Sequence, residues 1–199
     1  MPKSTSIILA SSSQIRKDQL KQLGLPFAAI APNIDETPKK HEPADQLVTR
    51  LSQEKALKVA QTHPEQIIIA ADQVQTIGQK IFGKPLNAAN AKEQLHQSSN
   101  STTIFYVGVT VHHQQASITK LVTTHVTFKP LTSAMIDQYI KLDQPFQAAG
   151  SICIEKRGMW LIHKMTSTDP TAIYGLPTLT LLNLLNELGV DLLSIHSLQ

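Results

Sequence analysis

The sequence predicts an α/β fold built on a mixed sheet, and three observations predict it. Apolar runs of strand length alternate with stretches whose apolar residues recur at helical spacing. Residues 67–71, Ile-Ile-Ile-Ala-Ala, are continuously apolar, as in a central strand covered on both faces. Two β-rich runs, 103–111 and 118–128, follow one another as antiparallel neighbours would.

Taken in order, residues 7–10 read as a short buried strand. Ser11, Ser12 and Ser13 then offer N-caps for a helix to about residue 23, and Gly24 stops it. A strand at about 27–31 leads into a loop carrying Asp35, Glu36, Thr37 and Pro38. Pro43 suits the first turn of a longer helix, whose stripe is Leu47, Leu51, Ala56, Val59 and Ala60 and which Pro64 closes. The 67–71 strand ends in Asp72. A turn at Gly78, the tripeptide Gly83-Lys84-Pro85 and a helix over about 88–96 follow. Beyond the two β-rich runs come a helix near 133–142, the tripeptide Ala149-Gly150-Ser151, and strands at about 152–155 and 159–164. A Leu-rich helix over 178–188, capped by Gly189, completes the core.

The 199 residues suffice for one domain over 1–199, whole or split into two lobes around a cleft. Charged residues make up 17% and apolar ones 41%, a globular rather than a disordered balance. The net charge of +3 is mild and no arm concentrates Lys or Arg, so a nucleic-acid surface is not expected. Cys153 is the only cysteine, which excludes an intrachain disulfide and a cysteine zinc site. Between Ile152 and Ile154 it reads as a buried, inert thiol. The histidines show neither HxxxH nor HExxH spacing, which leaves a histidine metal site without support. The 7–10 run is too short for a signal core or a membrane span, so a cytoplasmic protein with no membrane association is expected.

Four features carry chemistry. Asp72 follows five apolar strand residues, a position that brings a carboxylate out at the strand's carboxyl end, although a turn-forming Asp fits the local pattern equally well. Asp35-Glu36 is a second acidic pair, which is either an exposed turn or a partner of Asp72 in holding Mg²⁺ against phosphate. Ser11-Ser12-Ser13 with Arg16 and Lys17 stands at a strand-to-helix junction, where free N–H groups attract an anion, or where the serines merely cap. Lys55 lies on the amphipathic helix, and Lys84 sits in a turn that Pro85 keeps extended. Either can neutralise phosphoryl charge or be plain surface.

These segments resemble the Maf family of nucleotide pyrophosphatases. The resemblance runs through Ile8 to Ser13 with Arg16, Asp35-Glu36-Thr37-Pro38, Gln53-Glu54-Lys55-Ala56, Ala71-Asp72-Gln73-Val74, Gly83-Lys84-Pro85-Leu86, Ala149-Gly150-Ser151 and Gly175-Leu176-Pro177, in family order across nearly the whole chain. It implies two lobes around a nucleotide cleft and a fold related to the inosine triphosphate pyrophosphatases. It also implies catalytic roles for Asp72, Glu36, Lys55 and Lys84, with Asp72 and Glu36 sharing Mg²⁺ or Mn²⁺. Ser11 and Arg16 would hold the triphosphate, and a homodimer is the family expectation.

Within the family the chain is similar to the branch that hydrolyses 7-methyl-GTP. Asp35-Glu36-Thr37-Pro38, Gln73 after Asp72, and Glu155 after the Ala149-Gly150-Ser151 segment carry that likeness; at the last two positions the dTTP/UTP branch typically has Thr and Gln. A carboxylate such as Glu155 also answers the positive charge and the N–H donors of a 7-methylguanine base. The chain departs from the pattern at Ile15, a position associated with substrate choice, and at Lys17, Lys156 and Tyr174. Two rivals stand beside this reading: hydrolysis of dTTP, UTP or another modified nucleotide, and a non-catalytic nucleotide-binding regulator of septum formation.

Overall fold

A computed structural model describes residues 6–192, so the two ends of the expected 1–199 unit lie outside the described residues. The elements are β1 (Ile7–Leu9), α1 (Gln14–Gln22), β2 (Phe27–Ala29), α2 (Ala44–Ala60), β3 (Ile67–Ile77), β4 (Lys80–Phe82) and α3 (Ala88–Ser98). They continue as β5 (Thr102–His113), β6 (Ala116–Phe128), α4 (Ser133–Asp143), β7 (Ile162–Ser167) and α5 (Thr178–Glu187). The sheet order is β2-β1-β3-β5-β6-β7, with β4 paired to β3. The β1 pairings with β2 and β3 are parallel and all others antiparallel, so the sheet is mixed, as expected.

Alternation along the strands sends side chains to two cores at one end of the sheet. Ile7, Leu9, Ile67, Ile69, Val109 and Val111 pack on one face against Leu20 of α1 and Leu181, Leu184 and Leu185 of α5. Ile8, Ile68 and Ala70 face the other way, onto Ala56 and Val59 of α2. The expected two-sided burial of 67–71 is therefore what the structure has. A third core gathers at the far end, where Phe105, Val126 and Phe128 meet Leu95 of α3 and Ile136 and Tyr139 of α4. The long strands β3, β5 and β6 reach both ends and join the two lobes.

The helix punctuation follows the side chains that the sequence supplies. Ser13 caps α1 by accepting the Arg16 N–H, Asn87 caps α3 through the Asn90 N–H, and Thr132 caps α4 through the Met135 N–H. Pro43 precedes the first helical residue of α2 instead of lying within its first turn.

Two strand expectations fail. Residues 152–155 are not a strand, because Gly150 and Ser151 both take positive φ (66° and 61°) and turn the chain. The donors of the segment then go elsewhere. Cys153 N–H donates to the Tyr139 hydroxyl, while Lys156 and Gly158 N–H both return to the Cys153 carbonyl. Residues 157–161 form a 3₁₀ turn, so the expected 159–164 strand begins only at Ile162 and runs on to Ser167. The Cys153 thiol is buried, and burial foremost pushes its pKa up to about 11, so it is an inert core group, as expected.

Candidate active site

Asp72 does not end its strand. β3 continues five residues past it to Ile77, and the expected exit at a carboxyl end is corrected to an exit at an edge. β1 pairs with β3 only through Ile69, and β4 joins only from Gln75, while β5 accompanies β3 throughout. Between these two neighbours one edge of β3 is open, and Asp72 stands in that gap. The parallel part of the sheet still ends there, so the site lies beyond the carboxyl end of β1 rather than of β3.

A cleft of about 900 Å³ opens at this gap. Its walls include Ser11, Ile15 and Arg16 from the β1–α1 junction, Glu36 from the acidic loop, and Lys55 from α2, but not Asp35 or Lys17. Asp72 and Gln73 come from β3, Lys84 from the loop after β4, and Glu155 from the segment after Gly150. The far lobe contributes Phe105, Ile152 and Ile154.

Lys55 organises the centre. It is 5% exposed on the sheet-facing side of α2, and its Nζ donates to Asp72 Oδ1 at 2.6 Å and pairs with Glu36 Oε1 at 2.7 Å. Such short charge-assisted bonds fix the carboxylate rotamers. Among the described residues Lys55 is the only hydrogen-bond donor to the Asp72 carboxylate, which keeps unused acceptor capacity toward the cleft. Burial alone would raise the pKa of Glu36. The Lys55 hydrogen bond and charge, helped by Lys84 and Arg16, outweigh it and hold Glu36 below the usual carboxylate range. Lys84 thus acts on Glu36 from the opposite lobe. Of the acidic pair, Asp35 does the structural work, accepting the Thr37 N–H at 2.9 Å to form the turn that presents Glu36.

On the other face, Gln73 donates to the carbonyls of Ile173 (3.1 Å) and Ala172 (3.3 Å). Arg16 Nε donates to the Gly175 carbonyl at 2.8 Å. Burial presses the Arg16 pKa down, opposed by the charges of Asp72 and Glu36. A guanidinium remains charged in such a setting. Gly175 holds φ at 100°, and a Cβ there would come within 3.3 Å of both Arg16 Nε and Gln73 Oε1. Gln19, one turn after Arg16, was not singled out from the sequence. It clamps the same turn by donating to Leu176 O at 2.8 Å and accepting the Leu176 N–H at 3.1 Å. The i, i+3 spacing of Arg16 and Gln19 on α1 was the available signal. Glu155 stands exposed on the cleft rim with no hydrogen bond or ion pair to any described residue. Ser11 is buried, and its Oγ accepts the Ser13 N–H at 3.1 Å.

Among the described residues no group of three or more His, Cys, Asp and Glu could hold a metal ion by itself. Two carboxylates converging on one point do suit Mg²⁺ or Mn²⁺, which keep several waters and take substrate phosphate oxygens as ligands. The donor set fits a hard cation brought in with a phosphate, not a closed protein cage. Among the described residues no helix is long and apolar enough to cross a membrane.

Two acid groups around a buried lysine, flanked by an arginine, a second lysine and a helix N-terminus, define a class of site, one whose charges suit a polyphosphate with a hard cation. The chain belongs to the Maf family: the model described as "Maf-like protein" matches residues 6–188. It is 42% identical over 191 residues to the 7-methyl-GTP pyrophosphatase of Bordetella avium (strain 197N), covering 96% of this chain and 97% of that one. It is 40% identical over 194 residues to the 7-methyl-GTP pyrophosphatase of Nitrosococcus oceani, covering 96% and 98%. Acinetobacter baylyi has a relative named more generally, a nucleoside triphosphate pyrophosphatase, 39% identical over 193 residues and covering 94% and 98%. Among solved structures, the Staphylococcus aureus Ham1 protein overlaps 62% of this chain and 72% of its own at a TM-score of 0.42 and 13% identity.

Proposed function

We propose that this protein is a nucleoside triphosphate pyrophosphatase that hydrolyses 7-methyl-GTP to 7-methyl-GMP and pyrophosphate. The observation that carries the reading is the Glu36–Lys55–Asp72 cluster at the open edge of β3. The names of the relatives at about 40% identity support it.

In this reading Asp72 is the general base. Its Oδ1 is tied to Lys55, which leaves the rest of the carboxylate to orient a water and take its proton. The water oxygen bonds to the α-phosphorus as the bond from that phosphorus to the bridging oxygen breaks. Pyrophosphate departs with the electron pair. Lys84, Arg16 and the Ser11 junction hold the triphosphate from both lobes and offset the charge that builds on the leaving group. Mg²⁺ or Mn²⁺, held by Glu36, Asp72 and phosphate oxygens, would neutralise charge and acidify water there. Glu155 on the rim, and the Oε1 of a Gln73 anchored through its Nε2, would accept from the N–H edge of a cationic 7-methylguanine. The reading includes one unit over 1–199, a cytoplasmic location and a homodimer.

The test is pyrophosphate release from 7-methyl-GTP, GTP, dTTP, UTP, CTP and ITP in parallel, with Mg²⁺, Mn²⁺ or EDTA. Metal-dependent release chiefly from 7-methyl-GTP is expected. Release chiefly from dTTP or UTP would keep the reaction and overturn the base assignment. Nucleotide binding without release from any of them would instead favour a non-catalytic regulator.

A further inference from the structure

Leu86 breaks a local rule at the mouth of the cleft. Its φ is 66°, in the left-handed region where a Cβ crowds the neighbouring carbonyl and where Gly or Asn is the usual choice. The surroundings hold it there. Leu86 N–H donates to the Phe146 carbonyl at 3.0 Å, Asn90 Nδ2 to the Pro85 carbonyl at 2.9 Å, and Gly150 N–H to the Gly83 carbonyl at 3.2 Å. No burial compensates, because Leu86 is 66% exposed, yet it forms part of the cleft wall with Ile81, Phe105 and Ile154. Neither core packing nor backbone comfort explains a leucine at this position.

Its neighbour does. Lys84 is two residues away, within about 7 Å along the chain, and Pro85 keeps Lys84 extended. A nucleotide whose phosphates reach Lys84 and whose base reaches Glu155, the neighbour of Ile154 in that wall, has Leu86 beside its nucleoside half. We propose that Leu86 is a positioning residue for the nucleoside half of the substrate: an apolar shelf, kept turned into the cleft by a strained backbone and covered when nucleotide binds. This rests on the nucleotide reading above. Strain at such a site persists because the surrounding hydrogen bonds over-determine it.

Three variants test it: Leu86→Gly relieves the strain and removes the shelf, Leu86→Ala removes the shelf alone, and Leu86→Met keeps an apolar shelf. Calorimetry would measure binding of a non-hydrolysable α,β-methylene analogue of 7-methyl-GTP and, separately, of inorganic tripolyphosphate. The Gly and Ala variants should bind the analogue about five- to tenfold more weakly, the loss expected for uncovering part of a leucine. Their KM should rise by a similar factor with kcat within about twofold of wild type. Tripolyphosphate, having no nucleoside, should bind all forms alike. The Met variant should recover most of the affinity, and only the Gly variant should gain thermal stability. Analogue binding by the Gly and Ala variants equal to wild type overturns the inference while leaving the nucleotide reading intact. An equal loss for tripolyphosphate overturns it too, by making Leu86 a mere support of the Lys84 loop. Wild-type protein that binds tripolyphosphate but no nucleotide would sink the nucleotide reading itself, and this inference with it.

Discussion

Three aspartates are almost completely buried among the described residues, Asp72, Asp143 and Asp169, and the first and last are used in opposite ways. Asp169 is 1% exposed and its carboxylate is saturated: Oδ1 accepts from Thr171 N–H (3.1 Å) and Oγ1 (2.7 Å), Oδ2 from Thr180 N–H (2.8 Å) and Oγ1 (2.9 Å). It closes the first turn of α5, satisfying an orphan N–H and complementing the helix dipole. Asp72 is 7% exposed, and its only donor among the described residues is Lys55. Burial alone therefore does not mark a reactive carboxylate. What sets Asp72 apart is acceptor capacity left unused beside a cleft.

The same substitution at both positions sharpens that contrast. Asp72→Asn should lower kcat by at least about a thousandfold, the range expected when a general base in a charge-stabilising site is lost. Its melting temperature should stay within about 3 °C of wild type, since the amide still accepts from Lys55. Pyrophosphate release and calorimetry together check both halves, and near-normal turnover would remove Asp72 from the mechanism.

Lys55→Met comes next. Turnover should fall about a hundredfold, and the acid limb of the kcat profile should move to higher pH, because Glu36 loses the partner that holds its pKa down. An unmoved acid limb would mean that Lys55 does not set the charge of the cluster.

Asp169→Asn should do the reverse of Asp72→Asn. Its amide sets donor against donor at α5, costing about 3 kcal/mol and lowering the melting temperature by about 10 °C. The kcat of the folded protein at saturating nucleotide should remain within about tenfold of wild type. A larger loss of kcat than of stability would erase the distinction drawn between the two aspartates.

The smallest effect is expected at Glu42. It pairs with Arg50 at 2.6 Å beside the loop that presents Glu36. The Arg50 hydrogen bond, working against burial, lowers its pKa from 4.5 to about 2. A depressed carboxyl contributes its stability above its unfolded pKa and loses it as pH falls through the folded one. Glu42→Gln should therefore melt below wild type at pH 7, with the gap closing between about pH 4.5 and 2. A gap that persisted undiminished at pH 2 would show that the pair's charge does not matter.

Much of this was legible in the residues. The 67–71 strand could be read because a buried strand needs an apolar run, and the cleft residues could be read because the motifs that carry them stand in Maf family order along the chain. What could not be read was the continuation of β3. Gln73, Gln75 and Thr76 interrupt the apolar pattern, and their partners come from distant segments: the 172–173 carbonyls for Gln73, Ser98 for Gln75 and the Ile104 carbonyl for Thr76. Residues 152–155 misled for the opposite reason. Their Ile-Cys-Ile-Glu pattern is strand-like, but two preceding positive φ angles and the Tyr139 hydroxyl take the backbone away from any sheet edge. Leu86 could not have been foreseen, since nothing in a leucine announces a left-handed backbone.

The bond from Arg16 to the Gly175 carbonyl has a consequence in time. Its two ends are 159 residues apart in the sequence, and those of the Gln19–Leu176 clamp are 157 apart. During synthesis, the serine-rich junction and α1 are made first and must wait for almost the whole chain before the turn that orients Arg16 exists. A nascent chain arrested before residue 175 would already contain Ser11, Arg16, Lys55, Asp72 and Lys84 but would lack the carbonyl that receives Arg16. On the ribosome, then, the pocket is among the last parts of the molecule to mature, although most of its charged residues are made in the first half of the chain.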